Sequence, residues 1–516
     1  MIISTLKLYL REHSLAVFAA LFVGFIMVLP QIVFIFKTPN YEGLYMMKTD
    51  AEVHYLARMK EFVDTGSNGN PYLYEYKDII SPFNTISESI LALPSVIFPI
   101  SVPDLNLLYK FFLPVIIFIL VYTLLFQLLG DKKWSMVGGL AILLGNSLIN
   151  IPDLLHVIRL DTIYSQFAIF SRPVNPEFSS IIFFAYLNIL FLALKKRDWK
   201  YFAFLGIIFG FSFYVYLYSF TFIAALNFVF ILMFLFKKDY NISKKFLLAS
   251  ALGLLLGAYE IYNIFLITSH PFYKELARIS EIGSSHLPIF SMAGFIATVL
   301  FIVFIKYKKG ERGDFTLGLL FASWIVINQQ IITGIVLQSG HYHWHFNTPI
   351  YIIILFWLAY NIFLKFDNKK VNIFLILLSI IFIFNAVFIQ YSAYKNWNSE
   401  VSADQEIMPA IYWLESNTTT GSIILANSKN SDLVPIFTED YVASSNYGNY
   451  YLVPEERRTY NSEVIIKDLL GFKKNYRLDY VFWDKEKDPN WGLNEMEYLK
   501  LLYSDNRINI YDFKVL

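Results

Sequence analysis

Two carboxylates stand two residues apart in the run Thr49-Asp50-Ala51-Glu52, after a long apolar stretch. At such a boundary a carboxylate can meet both a hydroxyl arriving from water and a leaving group held by lipid, the position a general base needs. The same four residues also read as a capping box, with Thr49 as N-cap and Glu52 reaching back to its amide. Apolar residues in TDAEVHYLARMKEFVDTG, residues 49–66, recur at helical spacing, which predicts a helix lying flat on a membrane with the acidic pair at its start.

Two further groups carry chemistry. Residues 151–178 hold Asp153, His156, Arg159, Asp161, Arg172 and Glu177 between two apolar segments. Arg172, in SRPVNPEF, has the guanidinium fork that binds phosphate oxygens at headgroup level. In the alternative reading Asn175 caps the next helix, Pro176 takes its first turn, Glu177 complements the dipole and Arg172 reaches native headgroups. The run GHYHWHFNTP, residues 340–349, concentrates His341, His343 and His345. On a helix His341 and His345 share a face, whereas on an extended segment all three do. Either arrangement suits a phosphate or a metal, although a zinc site there needs a distant fourth ligand or water. Trp344 offers a stacking face for a sugar, and the plain reading of the run is an aromatic turn at the membrane interface.

The elements that position these residues follow from composition. Of 516 residues, 56% are hydrophobic and 16% charged, against about 25% charged in soluble domains. The chain reads as a polytopic α-helical membrane protein. A net charge of +1 gives no field to gather nucleic acid. Having no cysteine excludes disulfides, thiolate nucleophiles and Cys-metal sites. Eleven apolar segments starting near residues 15, 104, 133, 179, 199, 219, 246, 288, 314, 348 and 371 approach the ~20 residues a span requires. The first, without an A-x-A pattern, reads as an uncleaved anchor. Residues 86–100, with Pro94 and Pro99, are short and suit a re-entrant or interfacial helix. With that stretch not crossing, basic clusters alternate cleanly, nineteen Lys and Arg on one side against nine on the other. This predicts a cytoplasmic N-terminus.

Residues 1–394 then form the transmembrane domain, with a large outer loop at 37–103, and residues 395–516 a soluble α/β domain outside. In that domain the pattern predicts a helix over 404–416 and strands over 422–426 and 479–483. Glu260, Asn263, Asn328, Gln329 and Gln330 interrupt apolar segments and predict either a polar cavity or interhelical hydrogen bonds. Glu260 is also what a proton-coupled transporter requires.

An acidic pair opening the first outer loop, then many spans ending in a soluble domain, resembles the GT-C glycosyltransferases. That superfamily includes oligosaccharyltransferases, protein O-mannosyltransferases and aminoarabinose transferases. Asp50, His54, Tyr55, Arg58 and Glu61 are similar, with shifted spacing, to the D-x-x-[FY]-H-x-x-R-x-x-E loop of oligosaccharyltransferases. The WWDYG signature is missing. Phe482-Trp483-Asp484-Lys485 is the nearest run, which disfavours N-glycan transfer to protein.

The resemblance implies transfer of a sugar from a polyprenyl-phosphate or polyprenyl-diphosphate donor to an acceptor on the extracytoplasmic side. It implies inversion, with Asp50 as base and Glu52 supporting it or binding a divalent ion such as Mg or Mn. His54, Arg58, Asp161, Arg172, Glu177, His341, His343 and His345 are the candidate substrate-binding residues. The rivals are a transporter or flippase of a lipid-linked glycan, and a non-catalytic membrane assembly protein. Richness in Ile, Lys, Phe and Asn points to an AT-rich prokaryotic genome, hence a plasma-membrane enzyme of the cell envelope.

Overall fold

The computed structural model describes residues 11–49, 51–149, 151–160, 166–304 and 310–514, with the backbone alone at 151–153 and 304. Among them, seven helices are long and apolar enough to cross a membrane. They are Ser14–Lys37, Val102–Leu129, Glu177–Lys196, Leu217–Phe236, Glu311–Thr333, Ser339–Phe363 and Asn368–Asn417. An eighth results if Tyr240–Leu256 and Ala258–Thr268, bent by 59° at Gly257, count as one span. The apolar segments near 133, 199 and 288 form the helices Lys132–Leu144, Trp199–Ser212 and Met292–Phe304, of 13, 14 and 13 residues. At 1.5 Å per residue the first two are about 20 Å long, short of a hydrocarbon core of about 30 Å, while the third is followed directly by residues outside the described ones.

Local chemistry sets these boundaries. Asp131, Asp198 and Asp239 cap the helices that follow them by accepting backbone N–H bonds. Gly206 lies where a Cβ would fall 2.7 Å from the Ala249 carbonyl, so a side chain there would part the helices Trp199–Ser212 and Tyr240–Leu256. The helix Ile86–Ile97 is 12 residues long with Pro94 inside. It buries Ser87 and Glu88 and exposes Leu93, Val96 and Ile97, the arrangement of an interfacial helix.

Contacts divide the chain into two compact units. The first contains residues 1–30, 108–261 and 282–396, and the second 31–107, 262–281 and 397–516. The first outer loop thus belongs to the unit that holds the C-terminal sheet. That sheet has five strands in the order Tyr441–Val442, Ile423–Leu425, Tyr480–Asp484, Ile508–Phe513, Leu499–Ser504. The first three are parallel, and Ile508–Phe513 runs antiparallel to both its neighbours. Ile423, Leu425, Val481 and Trp483 pack with Leu469, Phe472 and Leu493 into its core. The helix Ser428–Phe437 packs against Glu52–Thr65, the helix that begins at the acidic pair.

Candidate functional site

The acidic turn lies in the second unit. Asp50 itself, like Asp161, lies outside the described residues. Glu52 opens the helix Glu52–Thr65 and is 2% exposed. Its Oε1 accepts from the Tyr45 hydroxyl at 3.1 Å and from Asn106 Nδ2 at 3.0 Å. Its Oε2 accepts from the Thr49 hydroxyl at 2.6 Å and the Thr49 N–H at 3.2 Å. The reach-back half of the capping box is therefore present, reinforced by Tyr45 and Asn106. Burial, with the Glu52 carboxylate beside it, pushes the Tyr45 phenol well above its ordinary value and keeps it a donor. Ala51 has φ +56°, in the left-handed region that costs a residue with a Cβ energy unless its surroundings hold it there. The four donors on Glu52 hold the turn on its C-terminal side.

One face of the same helix carries His54, Arg58 and Glu61, all buried. Arg58 forms an ion pair with Glu88, and its Nη1 donates to His54 Nε2 at 3.0 Å. The His54 ring is stacked on Tyr447 at 5.1 Å and on Tyr72 at 5.8 Å. Burial and the neighbouring guanidinium hold His54 well below its ordinary value, so the imidazole is neutral and can accept from Arg58. Glu61 accepts from the Tyr441 hydroxyl at 3.3 Å, and burial pushes its carboxyl up to about 7. His54 and Arg58 thus stand in a packed, polar and aromatic cluster. The Phe482-Trp483-Asp484-Lys485 run ends a strand, where Asp484 is 1% exposed and held by Arg507 at 3.0 Å.

The basic groups lie in the first unit, among the spans. Arg172 is 9% exposed. Its Nε donates to the Asn175 carbonyl, folding the side chain back over Val174, which itself sits at φ +71°. A β-branched residue in that region is a second strained position, again beside a candidate site residue. Glu177, fully buried, opens the helix Glu177–Lys196 with Pro176 as its N-cap residue.

Lys110 was not singled out by the sequence. It is fully buried in the helix Val102–Leu129, and its Nζ donates to the Ser171 carbonyl, immediately before Arg172, at 2.9 Å. A lone lysine inside an apolar span costs several kcal/mol and is the signal that marks it.

Gln390 fixes this turn. Pro30, inside the helix Ser14–Lys37, has no N–H for the Ile26 carbonyl. Gln390 Nε2 takes that role, donating to Ile26 O at 3.2 Å and Met27 O at 2.9 Å. Its Oε1 accepts from Ala168 N–H at 3.0 Å, and it meets the Ser171 hydroxyl at 2.9 Å. Gln390→Leu is expected to strand these groups without water and to lower stability by roughly 2–3 kcal/mol. Chemical denaturation in detergent, with Gln390→Glu restoring only the Ala168 bond, checks this.

The histidine run is helical. Residues His343–Asn347 form one π-helical turn joining Ser339–Tyr342 to Thr348–Phe363, a distortion frequent at functional sites. His341 and His345 accordingly share a face, ring centroids 5.4 Å apart. His341 Nδ1 is hydrogen-bonded to the Tyr216 hydroxyl, and its ring stacks on Tyr218 at 4.5 Å. Arg172 and His341 are near neighbours of His345. His343 points elsewhere, into an apolar cleft of about 670 Å³ lined by Ile289, Phe290, Met292 and Tyr351. Among the described residues no group of three or more His, Asp or Glu could hold a metal ion. Glu52, with four donors on two oxygens, is poorly disposed to be a ligand.

No protein-family model and no curated protein sequence matches the chain. Its fold does match solved structures. ArnT from Cupriavidus metallidurans bound to undecaprenyl phosphate aligns with a TM-score of 0.52 and 9% identity, over 95% of this chain and 97% of that one. The Archaeoglobus fulgidus oligosaccharyltransferase tethered with an acceptor peptide containing the NVT sequon aligns with a TM-score of 0.50 and 12% identity, over 98% of this chain and 74% of that one. The fold is that shared by these two proteins.

Proposed function

We propose that this chain, which has the fold of the GT-C glycosyltransferases, moves a sugar from a polyprenyl-phosphate or polyprenyl-diphosphate donor to an acceptor outside the cytoplasm. The observation that carries the reading is a pair of cations in an apolar setting. Lys110 is fully buried and bonded to the carbonyl that precedes Arg172. Ammonium and guanidinium groups brought together at one turn are the donors that hold phosphate oxygens. That one neighbour of similar fold was solved with undecaprenyl phosphate supports a lipid phosphate as the ligand.

In this reading Arg172, with Lys110, holds the donor phosphate, and His341 and His345 donate to it from the adjoining helix. His343, which lines the apolar cleft, contacts the lipid, and Glu177 and Asp161 are further substrate-binding residues. Asp50 takes the proton of the acceptor hydroxyl as its oxygen attacks the anomeric carbon. The bond from that carbon to the lipid phosphate breaks with inversion, and the phosphate leaves with the electron pair. Negative charge grows on the leaving oxygens, so fixed cations there lower the barrier most. Glu52 supports Asp50 by fixing the turn. The sidedness of the basic clusters supports a plasma-membrane protein with its N-terminus in the cytoplasm and the sheet domain outside.

Arg172→Ala is expected to weaken binding of undecaprenyl phosphate in nanodiscs by about 10–100-fold, the loss of one charge-assisted contact of about 1.5–3 kcal/mol. Arg172→Lys should recover only part, because a point charge does not replace the fork. Wild-type affinity in both variants would remove the lipid phosphate from this site.

One observation favours the flippase instead. The helix break at Gly257 stands three residues before Glu260, and broken helices with carboxylates at depth are a mark of transporters. Release of undecaprenyl phosphate from an undecaprenyl-phosphate hexose by purified protein decides between them.

A further inference from the structure

Residues 42–46 form no helix or strand, yet Leu44, Tyr45 and Met46 are buried. Their backbone groups still need partners. Gln405 Oε1 accepts from Glu42 N–H at 2.9 Å while its Nε2 donates to Leu44 O at 2.7 Å. Gln31 Oε1 accepts from Met46 N–H, and its Nε2 donates to Met46 O, both at 3.1 Å. The Tyr412 hydroxyl donates to Glu42 O at 2.8 Å and occupies the space where Gly43, at φ +94°, would carry a Cβ. Three side chains therefore do for residues 42, 44 and 46 what a neighbouring strand would do, on alternate residues. Both glutamines are nearly sealed from solvent, at 2% and 3% exposed.

The register so fixed has a consequence at the acidic turn. Side chains alternate along an extended chain, so a slip by one residue would carry Tyr45 away from Glu52 and move Thr49, the residue before Asp50. We propose that Gln31 and Gln405 are positioning residues for the transfer reaction: two amide clamps that set the register of residues 42–46 and thereby the turn that carries the acidic pair. This rests on the transferase reading above.

The test uses the full chain in lipid nanodiscs with undecaprenyl-phosphate glucose and mannose as donors, following release of undecaprenyl phosphate and backbone hydrogen exchange. Gln31→Glu and Gln405→Glu keep shape and the acceptor oxygen but cannot donate to Met46 O and Leu44 O. Exchange at Glu42 and Met46 should rise, and kcat should fall about tenfold or more, while KM for the donor stays within about twofold, the signature of misplaced rather than lost contacts. Tyr412→Phe, which removes one hydroxyl and endangers folding least, should move exchange and kcat the same way by about two- to threefold. Faster exchange with wild-type kcat would overturn the proposal, as would a rise in donor KM at unchanged kcat. Wild-type protein that releases no lipid phosphate from any donor would sink the transferase reading itself. Wild-type turnover matched by every variant would sink only the clamps.

Discussion

Asp50→Asn is expected to lower the rate of sugar transfer by about 10²–10⁴-fold, the contribution of a positioned general base, with donor binding left within about threefold. Asparagine keeps the shape of the side chain and can still begin a helix, so the capping role of the 49–52 run survives the change. Only the capacity to take a proton is lost. Single-turnover kinetics beside equilibrium donor binding separate the two. In the wild type the rate should rise with pH until the carboxyl is ionised, and this limb should vanish in the variant. Glu52 is unsuited to substitute for Asp50, because both its oxygens are engaged by Tyr45, Thr49 and Asn106. Undiminished transfer by Asp50→Asn would remove the base role from Asp50.

Arg58→Leu should cost stability. Arg58 and Glu88 are 3% and 0% exposed and face each other as an ion pair. Removing the arginine leaves a buried carboxylate uncompensated, at about 3–5 kcal/mol. Adding Glu88→Leu should return most of that, because a buried pair exchanged for apolar side chains is often neutral. Denaturation of the single and double variants reads this directly. A substrate contact would behave otherwise. The single variant would then keep its stability and lose kcat/KM, and the double variant would recover none of it.

What the sequence made legible was periodic. The helix over 49–66 and its acidic start follow from spacing, and the structure gives Glu52–Thr65. The shared face of His341 and His345 was one of two arrangements the run allowed, and the structure takes the helical one; the strands near 422 and 479 follow from short apolar runs. Which way a helix faces was less accessible. His54, Arg58 and Glu61 share a side by arithmetic, yet that this side is packed depends on Glu88, Tyr441 and Tyr447, far away in the chain. Lys110 and Asn106 lie near the start of one long apolar helix and Gln390 within another, where a few polar residues barely alter a span's hydropathy. Their meaning lies in partners 61, 54 and 363 residues distant. Two apolar segments of ordinary span composition proved to be helices of 13 and 14 residues, since hydropathy does not record where a glycine or a cap bounds the helix.

Pro30 and Gln390 stand in an unequal relation. The proline leaves the Ile26 carbonyl without its usual helix partner, and the glutamine supplies a donor from a helix more than 350 residues later in the chain. A chain that acquired the proline first would have carried an unanswered carbonyl in a dry interior. One that acquired the glutamine first already had employment for it, at the Ala168 N–H and the Ser171 hydroxyl. The two substitutions are therefore unequal in cost, whichever is made first. Pro30→Ala should be tolerated with Gln390 in place, whereas loss of Gln390 with Pro30 in place should not.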